Sequence, residues 1–207
     1  MIDHLLCIIL RPVNIAISLA NTAGADGDRL ATPARFVSWL EAEFEGGGAW
    51  EVVLRAREFR SLRETIRELL TAAVERRPLP REAVDRLNRT SAAVPAHLAL
   101  DPNGPTGPRA VEMPASGSAT AGLLATIARS AIGLLGAGAR DRPRRCPAAR
   151  CGRFFLTARP GQVWCSPACG NRARVARHSA RKRARPGGGA GPAQPVSSAS
   201  SSPNAVT

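Results

Sequence analysis

Apolar residues recur at helical intervals over most of the chain, and Gly and Pro mark the breaks between the runs. The first clear run follows Thr32-Pro33, a pairing that starts helices because Thr caps free N–H groups and Pro tolerates the first helical position. Phe36, Val37, Leu40 and Phe44 then share one face, and Gly46-Gly47-Gly48 stops the run. From Trp50 to Arg76 the residues Trp50, Val53, Leu54, Leu62, Ile66, Leu69, Leu70 and Ala73 keep helical spacing, with Arg and Glu between them, which predicts one long helix. Arg81 to Arg89, with Val84 and Leu87, predicts a short third one. Pro and Gly are dense between Ser91 and Ser118, as in a long loop or short hairpin. Leu123, Leu124, Ile127, Ala131, Leu134 and Leu135 then restore the helical period until Gly136 to Gly138. Past Arg185, 17 of the last 22 residues are Gly, Pro, Ser or Ala and none is charged, so this tail is expected to be disordered. The pattern predicts a mainly α protein: a helical domain over 1–139, a small cysteine-bearing segment over 140–185 and a disordered tail over 186–207.

An apolar content of 44% in 207 residues is enough for a core and excludes collagenous and fully disordered classes. No unbroken apolar run approaches the roughly 18–20 residues that span a bilayer. The longest near the start, Leu5 to Leu10, is closed by Arg11-Pro12, with no basic region before it and no small-residue cleavage site after it. Neither a membrane partner nor secretion is expected, and a cytoplasmic location is.

The net charge of +13 is unevenly placed. Between Arg140 and Arg185 there are 14 basic residues and one acid, Asp141, while the rest of the chain is balanced. A neutral body with one strongly basic segment suits a chain that meets a polyanion there and does something else elsewhere, and nucleic acid is the leading partner.

Four of the five cysteines fall in that segment, as Cys146, Cys151, Cys165 and Cys169. Two close pairs separated by a short insert let four sulfurs converge as a tetrahedron, the closed site that structural zinc prefers. Two disulfides or an iron–sulfur cluster are the alternatives; the former suit a secreted scaffold, and spacing alone does not separate the latter. Cys7, in the early apolar run, reads as a buried small hydrophobe rather than a ligand. Phe154, Phe155 and Leu156 follow the first pair, Val163-Trp164 lead into the second, and Arg159-Pro160-Gly161 supplies turn chemistry between them. This predicts a knuckle, then a short hairpin, then a helix opening at the second pair, an arrangement like a treble clef whose core is too small to fold without metal. Arg145, Arg150, Arg153 and Arg172 lie close enough in sequence to offset the charge of four thiolates. Gly170, beside a ligand, would let backbone N–H groups reach sulfur.

On the helix that follows, Arg174, Arg177, Arg181 and Arg185 project within about 80° of one another, with His178 beside them. Lys182 adds to the same basic set, and Arg172 and Arg183 project from the opposite side. Ala173, Ala176, Ala180 and Ala184 form a neighbouring face able to pack. A merely solvated face would mix both signs, whereas no acid occurs after Asp141.

Trp164-Cys165-Ser166-Pro167-Ala168-Cys169-Gly170-Asn171-Arg172, with Cys146, Cys151 and Phe154-Phe155 upstream, resembles the CGNR zinc finger, named for the run that is here Cys169 to Arg172. The first part is similar to the helical ABATE domain, through Leu19-Ala20-Asn21-Thr22, Leu30-Ala31-Thr32-Pro33, Trp39-Leu40 and the helix with Leu54, Arg55 and Arg57. Together these cover about residues 13 to 183. The chain departs from the family's usual Asp at Ser18 and at Thr157, and from its usual basic residues at Gly161-Gln162-Val163. The resemblance implies a bacterial, stress-linked transcription regulator.

Three functions compete at this level. A DNA-binding regulator would use Zn2+ at Cys146, Cys151, Cys165 and Cys169, would contact DNA through Arg172, Arg174, Arg177, Arg181, Lys182 and Arg185, and would sense a small-molecule or protein effector in its helical domain. An RNA- or ribosome-associated module would need stacking platforms, for which Phe154, Phe155 and Trp164 are candidates, although their apolar context favours core packing. An enzyme is not expected, because His4, His97 and His178 lie near no paired carboxylate or nucleophile pattern.

Overall fold

A computed structural model describes residues 14–25, 27–44, 49–103, 107–115, 117–137 and 142–184. Cys7, the early apolar run, the triple glycine at 46–48, Arg185 and the tail lie outside the described residues, and the expectations placed on them are not addressed by it.

Among the described residues, seven helices and three two-stranded antiparallel ribbons follow one another as α1 (Ile15–Ala20), β1 (Ala23–Gly24), β2 (Gly27–Asp28), α2 (Pro33–Glu43), α3 (Ala49–Leu54), α4 (Ala56–Val74), α5 (Arg81–Ala92), β3 (Ala96–Asp101), β4 (Arg109–Pro114), α6 (Ala119–Gly136), β5 (Arg144–Arg145), β6 (Phe154–Phe155) and α7 (Pro167–Ala184). The protein is mainly α, as the apolar period predicts. Capping sets several of the helix starts. The Thr32 hydroxyl accepts from the Arg35 N–H with Pro33 in the first turn, the Ser118 hydroxyl accepts from Ala121, and Asn14 accepts from Ala16 and Ile17.

The predicted long helix from Trp50 to Arg76 is two helices. The chain turns at Arg55, whose φ of −100° and ψ of 21° leave the helical register, so the angular phase restarts at Ala56. Leu54, counted on the apolar face when the run is read as continuous, is therefore 86% exposed. The Pro- and Gly-rich stretch is the hairpin β3–β4, paired from Ala96↔Pro114 to Asp101↔Arg109.

The core is built by the helices α1 to α6, with Leu30 and Phe154 joining them. Phe36, Trp39 and Phe59 meet edge-on or stacked with centroids 5.0–6.4 Å apart. Leu19, Ile66, Leu69, Leu70, Leu123 and Ile127 pack in the same cluster. Helix α6 has the length and mean hydropathy, 1.4 over 18 residues, of a membrane span, although no unbroken apolar run of that length exists in the sequence. Its apolarity is that of a central helix: Leu123 through Ala128, Ala131 and Leu134 are buried against its neighbours. Its one charged residue, Arg129, holds Glu112 and the carbonyls of Ser91 and Val94.

Residues through Ala173 form one compact unit and those from Arg174 onward a second, the division falling within α7. The first unit includes the cysteine segment. Phe154, 2% exposed, belongs to the main helical core, and the Arg67 guanidinium lies 5.8 Å from its ring centroid. The Asn21 side chain donates to the Phe154 carbonyl at 2.8 Å and accepts from its N–H at 2.9 Å, so one amide satisfies both backbone groups of that strand residue.

Candidate metal centre

The first cysteine pair sits on a knuckle flanked by β5 and β6. Arg144 and Arg145 pair with Phe155 and Phe154, and the Cys146 N–H donates to the Arg153 carbonyl at 2.8 Å. The predicted hairpin thus straddles the knuckle instead of following it. The segment after β6 is a turn, with Gln162 donating to the Arg159 carbonyl and its side-chain oxygen accepting from Ala158. Left-handed backbone on both sides of Cys151, at Arg150 (φ 62°) and Gly152 (φ 62°), folds the knuckle tightly enough to aim both sulfurs inward. The second pair brackets the start of α7. Ser166 stands before Pro167 and its hydroxyl accepts from the Cys169 N–H at 3.3 Å, which fixes the first turn and with it the Cys169 sulfur.

The four Sγ atoms all lie within 4.8 Å of one another. Cys151, Cys165 and Cys169 form a triangle with sides of 3.6 Å. A tetrahedron of sulfurs about 2.3 Å from one ion has edges of about 3.8 Å, so the set fits a single thiolate-bound ion. It does not fit a disulfide, whose sulfurs stand about 2.05 Å apart. An iron–sulfur cluster would spread its cysteines over several irons and hold their sulfurs farther apart. Cys146, Cys151 and Cys169 are buried and Cys165 half-buried, with Phe155 and Trp164 packed around them.

The electrostatics differ from sulfur to sulfur. The Ser166 hydroxyl and the Arg172 guanidinium, whose Nη2 is 3.0 Å from Sγ, hold the Cys169 thiol down at about 6 despite its burial. Burial pushes the Cys165 and Cys151 thiols up, the Arg153 N–H opposing this at Cys151. Cys169 therefore ionises more readily than Cys151 or Cys165, and metal binding, which takes thiolates, releases the protons of those two.

Of the expected basic residues, Arg172 reaches a cysteine. Arg174, Arg177, Arg181 and Lys182 are exposed along α7, while Arg185 lies outside the described residues. On the alanine face Ala173 is half-buried, whereas Ala176 and Ala180 are exposed, and so is Val175 at 65%. The Gly170 N–H donates to the Ser166 carbonyl within the helix, not to sulfur. Phe154 and Phe155 are core residues. No local signal announces the Asn21 amide on β6 or Arg67 over Phe154, because both contacts join distant segments. The Ser-Pro start of α7 was readable as a capping signal.

Two family profiles match the chain. Residues 14–138 match ABATE, described as "Putative stress-induced transcription regulator", and residues 142–182 match the CGNR zinc finger. No curated protein matches the chain. The four convergent cysteines fall inside the second match and supply the metal site its name requires. With the first match alone spanning more than half of its residues, the chain belongs to the ABATE family of regulators and carries a CGNR zinc finger behind that domain.

Proposed function

We propose that the protein is a zinc-dependent DNA-binding transcription regulator acting in the bacterial cytoplasm, with α7 as its DNA contact and the helical domain as its sensor. Zinc is the ion because four cysteines, with no open position, form a structural rather than a catalytic site. The observation that carries DNA binding is the exposed row Arg174, Arg177, Arg181 and Lys182 on a helix with no acid after Asp141. Arginines so arranged can grip phosphates and, if the helix enters the major groove, read guanine through paired hydrogen bonds. DNA is preferred to RNA because Phe154 and Phe155, two of the three aromatic residues able to stack on bases, are buried. The finger is too small to enclose an effector, so sensing falls to the charge-balanced helical part.

The experiment is a salt titration of binding to duplex DNA. Four phosphate contacts from Arg174, Arg177, Arg181 and Arg185 give a log–log slope of roughly −3.6, and Arg181→Ala reduces its magnitude by about one. Arg183→Ala, from the opposite side, leaves the slope nearly unchanged. Equal losses from both variants would sink the oriented helix, and tighter binding to single-stranded RNA than to duplex DNA would sink the choice of partner.

A further inference from the structure

Two adjoining concavities of about 440 Å³ each open between the C-terminal end of α4 and the start of the cysteine segment, and they share Ala73, Arg76, Arg142 and Pro143. Apolar side chains supply part of the lining, Val74 and Val163 in the first and Leu134 and Leu135 in the second. Arg76, Arg142, Arg144 and Arg145 line the first of them, and among the described residues no acidic one lines either. Elsewhere in the first unit Arg55, Arg63, Arg86 and Arg129 each hold a carboxylate, and Arg77, on the rim of the second concavity, holds Glu75. Among the described residues the four groove arginines make no ion pair.

Arg76 carries a second, independent sign. α4 ends with the Arg77 N–H donating to the Ala72 carbonyl and the Arg76 N–H to the Ala73 carbonyl, which puts Arg76 at the left-handed position of the helix stop, φ 55°. Gly is the unstrained residue there. A cation near a helix C-terminus is favoured by the dipole, which does not require the left-handed backbone. The strain at Arg76 has a use if its side chain is needed in the groove.

We propose that this groove binds a small organic molecule carrying two or more adjacent phosphate-like charges, of the nucleoside di- or triphosphate kind. Several arginines lining one space call for several negative charges, and planar forks match phosphate oxygens pairwise. The valine and leucine side chains in the lining take the uncharged body, and the volume is that of a small-molecule site. A duplex is far too wide to enter and would meet only the rim. The inference rests on the effector reading above and names its site: the ligand would lie against α4 and against Arg144 and Arg145, directly before Cys146, touching both the helical part and the knuckle.

The test is calorimetric titration of the zinc-loaded full chain with ATP, inorganic pyrophosphate and adenosine. ATP and pyrophosphate should bind and adenosine should not. Arg76→Gly, which suits the left-handed backbone and so keeps the fold, and Arg142→Ala, on an exposed segment, should each weaken ATP binding about tenfold or more. Arg181→Ala on α7 should leave it unchanged. Absence of binding by both anions, or equal weakening by Arg181→Ala, overturns the proposal. So do groove variants that weaken duplex DNA binding but not ATP binding. If the anions fail yet a metabolite mixture still raises the melting temperature, this site is lost and the effector reading survives; if neither acts, both are lost.

Discussion

Arg63 shows how a single charge is kept inside this protein. It is 5% exposed, yet its guanidinium meets both Asp28 oxygens at 2.7 and 3.0 Å and the Thr22 hydroxyl at 3.2 Å. The hydrogen bonds from Arg63 hold the Asp28 carboxyl below its usual range. Its contribution to stability is therefore complete above the unfolded value of about 3.9 and is lost as pH falls through the lower folded value. Asp28→Asn should cost about 2–3 kcal/mol near neutrality, less than the roughly 3–5 of a fully buried pair because Asp28 is 32% exposed. Urea unfolding across pH should show that difference constant above pH ~5 and shrinking below about 4. Arg172 makes the matching argument at the metal site. Its contact with Cys169 offsets thiolate charge, so Arg172→Ala should release zinc to a competing chelator at roughly ten- to a hundredfold weaker metal affinity, with Arg172→Lys recovering part of the loss. Were the alanine variant to hold zinc as the wild type does and lose only DNA, Arg172 would be a contact residue and not a support of the metal.

At the scale of elements, β6 belongs to two structures at once. Its outer residue Phe155 packs on the cysteine cluster, while Phe154 enters the helical core and is gripped through its backbone by Asn21. Asn21→Ala removes both hydrogen bonds from a part-buried strand residue and should destabilise the first unit by about 1–3 kcal/mol. For a chain of this size that lowers the melting temperature by roughly 2 to 12 degrees, measurable by circular dichroism. An unchanged melting temperature would mean that solvent replaces the amide freely and that β6 is not clamped. Helix α7 is likewise divided: its first turn is capped by Ser166 and anchors Cys169, and its remainder is exposed and basic.

For the whole molecule, shared packing changes what metal removal should do. A finger that folded by itself would leave the helical part untouched when its zinc is stripped. Because Phe154 is in the main core, stripping the metal, or Cys146→Ser, should lower the melting temperature of the helical part as well, in one cooperative transition. Two separate transitions, with the helical one unmoved, would show the cysteine segment to be energetically independent.

Much of this was legible in the sequence, for a physical reason: the signals were local. Thr32-Pro33 caps α2, the period of Leu123 to Leu135 makes α6, and Cys146, Cys151, Cys165 and Cys169 converge because ligand spacing is a short-range constraint. The uneven charge was also fixed by sequence, since it depends only on where the arginines lie. Tertiary structure alone decided the rest. A one-residue break at Arg55 rotates Leu54 out to solvent, and no periodicity count senses such a phase shift. The pairing of Arg144-Arg145 with Phe154-Phe155 across the knuckle, the Asn21 amide on a strand residue far along the chain, and the groove joining Arg76 to Arg142 all bring together residues from distant segments. Such contacts form only when the core is packed, because burial of Phe154 and not any local propensity holds the knuckle on the helices.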